Sequence, residues 1–350
     1  MRKAILAIAL TAAAIARPDA ARASDDESIR NALESLVLPF QVHGFVDASY
    51  AGNVDLRTDT FGLDQAEVDI TRSGGERWAL RADLEWVKDG ENWSAAVEQG
   101  YLEWEPCPSG KAALTLGRFN APMGFELLDA PDMYQFSHAL VFDYGLPSNL
   151  TGVMAALAPA ERLDLRLFVV NGWDGNDLGG RGPKTAGGRL GWSLGDQGTV
   201  GISAIHGSEN AGTDEDPATL HRTAVDLDLT WTPAEGLVIG GEANHGTLDA
   251  GGGDADWSAF LLMAHRDFTS WVGLTARYDW FDDPDGAIFE PGLAQTRTAI
   301  TVAPTFALAD GLGAVLEVRI DGSSEDVCAD VDGEAGSSTT GVAFEVTGSF

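Results

Sequence analysis

From residue 40 onward the chain alternates apolar and polar residues with a period of two, the pattern of strands whose two faces meet different surroundings. Val42, Gly44, Val46, Ala48 and Tyr50 alternate with Gln41, His43, Asp47 and Ser49. The stretch 77–86 shows it best: Trp78, Leu80, Ala82, Leu84 and Trp86 share one face, and Arg77, Arg81, Asp83 and Glu85 the other. The same alternation returns at 163–169, 225–231, 272–280, 314–321 and 342–350. A soluble sandwich would also alternate, burying its apolar face and wetting its charged one. Apolar bands that end in tryptophan at both ends fit a lipid-facing surface between two aromatic girdles better. The predicted fold is therefore all-β, a transmembrane antiparallel barrel with charged residues inside.

Connections between the strands come in two kinds. Tight turns are expected near 73–75, 106–110, 159–161, 195–198, 233–236, 266–268 and 309–311, each rich in Gly, Pro or charge. Longer loops are expected at 51–60, 88–92, 120–150, 171–183, 207–219, 246–256, 282–295 and 322–339. Long loops outside and tight turns in the periplasm are what an outer-membrane barrel requires. The count closes at about 16 strands, which puts both termini on the periplasmic side. Fourteen is the alternative, because 94–105 and 152–158 alternate poorly. An alternating last strand that finishes on Phe350 also resembles the signature by which outer-membrane barrels are recognised for insertion.

Composition narrows the picture. With 22 basic against 54 acidic residues, nucleic acid and anionic membrane surfaces are poor partners. An acidic disordered chain should lack aromatics, whereas this one has 10 tryptophans beside 42 glycines. At the start, Arg2 and Lys3 precede an apolar run over 4–16 and an Ala21-Arg22-Ala23 cleavage pattern, so residues 1–23 read as a signal peptide. Residues 24–38 carry Ile29, Leu33, Leu36 and Val37 at helical spacing, which predicts a short periplasmic amphipathic helix before Pro39. The barrel then takes 39–350. Cys107 falls in a periplasmic turn and Cys328 in an outer loop, so no disulfide is expected between them: a ~25 Å apolar band would separate them, and the bond needs Cα atoms within about 7 Å.

The segment 117–152, GRFNAPMGFELLDAPDMYQFSHALVFDYGLPSNLTG, is too long and too aromatic for a plain loop. It is expected to fold into the barrel mouth and narrow it. Glu126, Asp129, Asp132, His138 and Asp143 are the residues expected to face the solute, with Arg118 opposing them. Arg81, Asp83, Glu85, Arg166, Arg277, Glu317 and Arg319 are expected to line the pore along the strands. This segment, together with the VVNGWD run at 169–174, resembles the OmpL-like family of outer-membrane β-barrel porins. The resemblance implies a barrel and a pore, and adds little about cargo.

The six histidines form no metal-ligand spacing, and no G-x-S-x-G is present. The run 328–333 lacks the first and twelfth ligands of an EF-hand. The reading is thus a non-enzymatic porin of the bacterial outer membrane, without cofactor, embedded in outer-membrane lipid and passing small solutes or ions. The alternative is a non-conducting barrel acting as an enzyme or a surface anchor. A homo-oligomer is expected by analogy alone. Five loops (120–150, 207–219, 246–256, 282–295 and 322–339) carry acids and not one Lys or Arg. They predict a preference for cations.

Overall fold

The computed structural model describes residues 40–75, 77–89, 92–175, 183–210, 219–249 and 253–350. The signal-peptide and amphipathic-helix readings of 1–38 lie outside these residues. The first half of the sheet consists of β1 (Gln41–Asn53), β2 (Thr58–Ser73), β3 (Trp78–Asp89), β4 (Asn92–Trp104), β5 (Ala112–Asn120), β6 (Asn149–Ala160), β7 (Leu163–Val170) and β8 (Thr185–Ser193). It continues through β9 (Gly198–Asn210), β10 (Thr219–Ala234), β11 (Leu237–Asp249), β12 (Asp254–Asp267), β13 (Val272–Asp283), β14 (Gln295–Ala309), β15 (Leu312–Ser323) and β18 (Ser338–Ser349). Each strand pairs antiparallel with its sequence neighbours, and β18 closes on β1 with Phe45 opposite Ser349. The result is a closed barrel of 16 strands, so the fourteen-strand alternative falls. Closure leaves the barrel sheet without an edge, which a bilayer demands because nothing there can satisfy a free backbone N–H.

The faces are those the alternation predicts. On β10, Val225 and Leu227 are half exposed on the outside, while Asp226 and Asp228 are buried. Tyr278 points out between the buried Arg277 and Asp279. Exposed aromatics gather at the two rims. Trp78, paired with Trp104, and Trp192, Trp231 and Trp271 lie at the end that carries the tight turns. Trp86, Trp93 and the Tyr50–Phe61 contact (4.6 Å) lie towards the other end.

Three expectations change in detail. The connection at 51–60 is a tight turn over residues 54–57, since β1 and β2 pair out to Asn53 and Thr58. β4 alternates poorly because it is bulged: Ala82 faces Gly100 but Leu84 faces Val97, so Glu98 and Gln99 both turn inward. The loop at 322–339 holds a small hairpin of β16 (Cys328–Ala329) and β17 (Ala335–Gly336). There the Asp330 carboxylate accepts the N–H groups of Asp332 and Glu334 (2.9 Å each) and so caps the turn. Cys107 and Cys328 stand at opposite ends of the barrel.

Candidate functional site: the loop inside the barrel

The connection between β5 and β6 leaves and returns at a narrow neck. Gly117 faces Gly152 across the strand pair, and at φ 140° a Cβ on Gly117 would sit 2.2 Å from the Gly100 carbonyl oxygen. Above this pair Asn149 donates to Asn120 (2.7 Å), and Ala121 N–H to Ser148 O (2.8 Å). Arg118 closes the neck by donating to Asn149 Oδ1 (3.1 Å) and the Asp174 carbonyl (3.2 Å). The Asp174 side chain in turn accepts the N–H groups of Ser148 and Asn149 (2.8 Å each).

From this neck the loop runs against the inner face of β10–β15. Gly124, at φ 84°, makes a bend, after which the Phe125 N–H donates to Glu242 Oε2 (2.6 Å). The Phe125 ring lies on Gly240, where a Cβ would come within 2.1 Å of it. A short helix, α1 (Leu140–Gly145), buries Leu140 and Val141 against β11–β13, and Tyr144 sets its edge on Phe289 at 4.8 Å.

Between helix and wall lies a buried charge network. Glu126 accepts from Arg277 (2.8 Å), Gln135 (2.7 Å) and the Ala139 N–H (2.7 Å), with His138 Nδ1 at 3.4 Å. Arg277 also binds Asp279 (3.0 Å) and the carbonyls of Ser137 (2.6 Å) and His138 (2.9 Å). Glu317 accepts the N–H groups of Phe136 (2.9 Å) and Ser137 (3.1 Å), while Arg319 donates to the His138 carbonyl (2.6 Å) and Asp321 (2.8 Å). Glu126, Arg277 and Glu317 therefore do not face solute. Their charges are consumed in holding loop backbone whose N–H and C=O groups form no ladder of their own.

The remaining candidates fall elsewhere. Asp132 and Asp143 are exposed, and His138 is partly so, its ring stacked on Phe142 at 4.0 Å. Asp129 crosses to the opposite wall beside Glu67 on β2 and Glu98 on β4. Burial, with Glu98, Asp132 and Asp69 nearby, pushes its carboxyl up to about 7. Along the wall Arg81 is paired with Asp83 (2.7 Å), Glu85 accepts from Gln65 (2.6 Å), and Arg166 meets Asp164 (3.2 Å). Arg189, paired with Asp228, also lines the lumen and was missed by the sequence reading. Glycines around it on β8 blur the alternation that would have marked it. A cavity of about 290 Å³ remains between Arg166, Arg189 and the first leg of the loop, Asn120 to Leu128.

Glu126 gives this anchorage a pH dependence. Its burial alone would raise the carboxyl, but Arg277, His138 and the Ala139 N–H outweigh that and hold it below the ordinary range. A depressed group stabilises above its unfolded value, about 4.3, and the contribution is lost as pH falls through the folded value. The loop should thus resist protease at pH 7 and become cleavable only as pH falls below that unfolded value. Glu126→Gln should abolish that acid transition, and an unchanged transition in the variant would assign it to another group.

The fold of this barrel is shared with solved outer-membrane proteins. OmpTdeltaL8, a loop L8 deletion mutant of OmpT from Vibrio cholerae, superposes with a TM-score of 0.67 at 12% identity, over 89% of this chain and 99% of its own. The trimer form of in-vitro folded OmpT from the same organism matches at 0.65, again with 12% identity and the same coverage. An anion-selective porin from Comamonas acidovorans gives 0.65 at 12% identity, over 89% and 99%. These likenesses show the fold alone. No curated protein is similar in sequence. The family model described as "Putative beta-barrel porin-2, OmpL-like" matches residues 43–350. The chain belongs to this family. It is a β-barrel porin of the bacterial outer membrane, and the loop 121–148 lies inside the lumen of that porin.

Proposed function

We propose that this porin is a passive diffusion channel for small solutes and ions, that the loop 121–148 forms its constriction, and that it prefers cations. The observation carrying the preference is the charge of the mouth. Asp254, Asp256, Asp285, Glu290, Glu325, Asp326, Asp332 and Glu334 are all exposed on three of the base-free loops. The lumenal arginines are paired with carboxylates, which cancels much of their field. A mouth of one sign concentrates counter-ions over about 8 Å at physiological salt. In a KCl gradient across a planar bilayer the reversal potential should report cation preference, shrinking as salt rises. Anion preference at low salt would overturn the proposal.

The termini belong on the periplasmic side in this reading, because they share an end with the tight turns. The trimer form of the OmpT relative supports a homo-oligomer of this chain as well. Passage is taken to be non-enzymatic. Among the described residues, the arrangement nearest to a hydrolytic relay, Asp267–His265–Thr275, has its hydroxyl donated to the Tyr134 carbonyl at 2.7 Å.

A further inference from the structure

We infer that Glu67, Glu98 and Asp129 bind a divalent cation of the calcium type, which ties the loop to the wall facing Arg277. The three carboxylates come from β2, from the bulge in β4 and from the loop, and one oxygen of each lies within 4.8 Å of the others. Oxygens bound to one calcium ion at 2.3–2.6 Å can stand up to about 5 Å apart, so the spacing fits a single ion with hard oxygen ligands.

The charge balance makes the stronger argument. Glu67 is 2% exposed and Glu98 is 3% exposed, and among the described residues none of their four carboxylate oxygens has a hydrogen-bond partner. Asp129 Oδ1 is likewise buried and unpartnered. Carboxylates withdrawn from water without a partner are costly, and three together repel one another. The donors close by are already committed. Arg81 serves Asp83 and, at 3.6 Å, Asp69; the Gln99 amide serves Asp83 at 2.7 Å. No described Lys or Arg forms an ion pair with any of the three. The adjoining group of Glu67, Asp69 and Asp83 differs in this respect, since a guanidinium is built into it.

The position is what gives such an ion a consequence. Glu126 and Asp129 are three residues apart, yet the first is fixed to β13 and the second meets β2 and β4. A cation at the second point would make the loop a strut across the lumen, held at both ends. Without it, that end rests on three like charges.

The test uses the full folded protein in detergent, freed of metal with EDTA and titrated with CaCl2 by calorimetry. One tight site per chain is expected. Glu67→Gln with Glu98→Gln should abolish it, and Asp129→Asn should weaken it at least about tenfold, because affinity in oxygen-ligand sites follows ligand charge. Asp332→Asn with Glu334→Gln, in the outer hairpin, should leave it intact. Equal binding by the protein and the Glu67→Gln/Glu98→Gln variant would place calcium on the outer acids and overturn the inference. Absence of a tight site in the unaltered protein would overturn it too, and leave shared protons as the balancing charge. Asp129→Asn alters no strand, so its folding, checked by circular dichroism, is independent of barrel closure. Calorimetry reads the ion whether or not the protein conducts, so failure of the channel proposal would not decide this one.

Discussion

Arg277→Ala is expected to destabilise the folded porin by about 3–5 kcal/mol, the usual cost of stripping one partner from a buried ion pair. The arginine is wholly buried, and it joins Glu126 of the loop to Asp279 of the wall. It also donates to the carbonyls of Ser137 and His138. Alanine therefore leaves two buried carboxylates and two carbonyls short of partners at once. The shift should appear as a lower guanidinium midpoint, and bilayer recordings should show larger, noisier openings as the loop leaves the wall. Adding Glu126→Gln should recover part of the loss, because much of it is the uncompensated charge and not the missing contact. A loss below about 1 kcal/mol would mean that the helix packing of Leu140 and Val141 holds the loop unaided.

Leu227→Arg is expected to cost about 2–4 kcal/mol in equilibrium unfolding from lipid vesicles, the range for a cation on the lipid face near the bilayer midplane. Leu227 lies mid-strand on β10, half exposed on the outside between the buried Asp226 and Asp228. A long side chain there reaches hydrocarbon before it reaches headgroups. Val331→Arg, at a residue equally exposed but on the outer hairpin, should change stability by no more than about 0.5 kcal/mol. Equal effects at the two positions would mean that the apolar face of β10 does not meet lipid.

Much of this architecture is a local property of the chain. In a strand, successive side chains point to opposite faces whatever the rest of the protein does. Alternation at 225–231 and 272–280 therefore decides the inner and outer faces directly. Tryptophans at the ends of the apolar runs mark the bilayer rims, and tight turns alternating with longer loops count the strands. The one long aromatic connection is also visible without coordinates, since nothing else after residue 40 resists a period of two for so long.

Tertiary structure decided what the inward charges do. Glu126 and Arg277 are 151 residues apart, and no periodicity links them. Their pairing depends on where the loop lands after the barrel has closed, so a residue read as facing solute became a buried anchor. The β4 bulge is another such case, because turning Glu98 and Gln99 inward together breaks the very alternation by which strands are read. Arg189 was hidden for a related reason: Gly187 and Gly191, the next positions on its face of the strand, have no side chain to define that face. Faces follow from backbone geometry within a few residues, whereas charge partners follow from closure of the whole sheet, which no local stretch encodes.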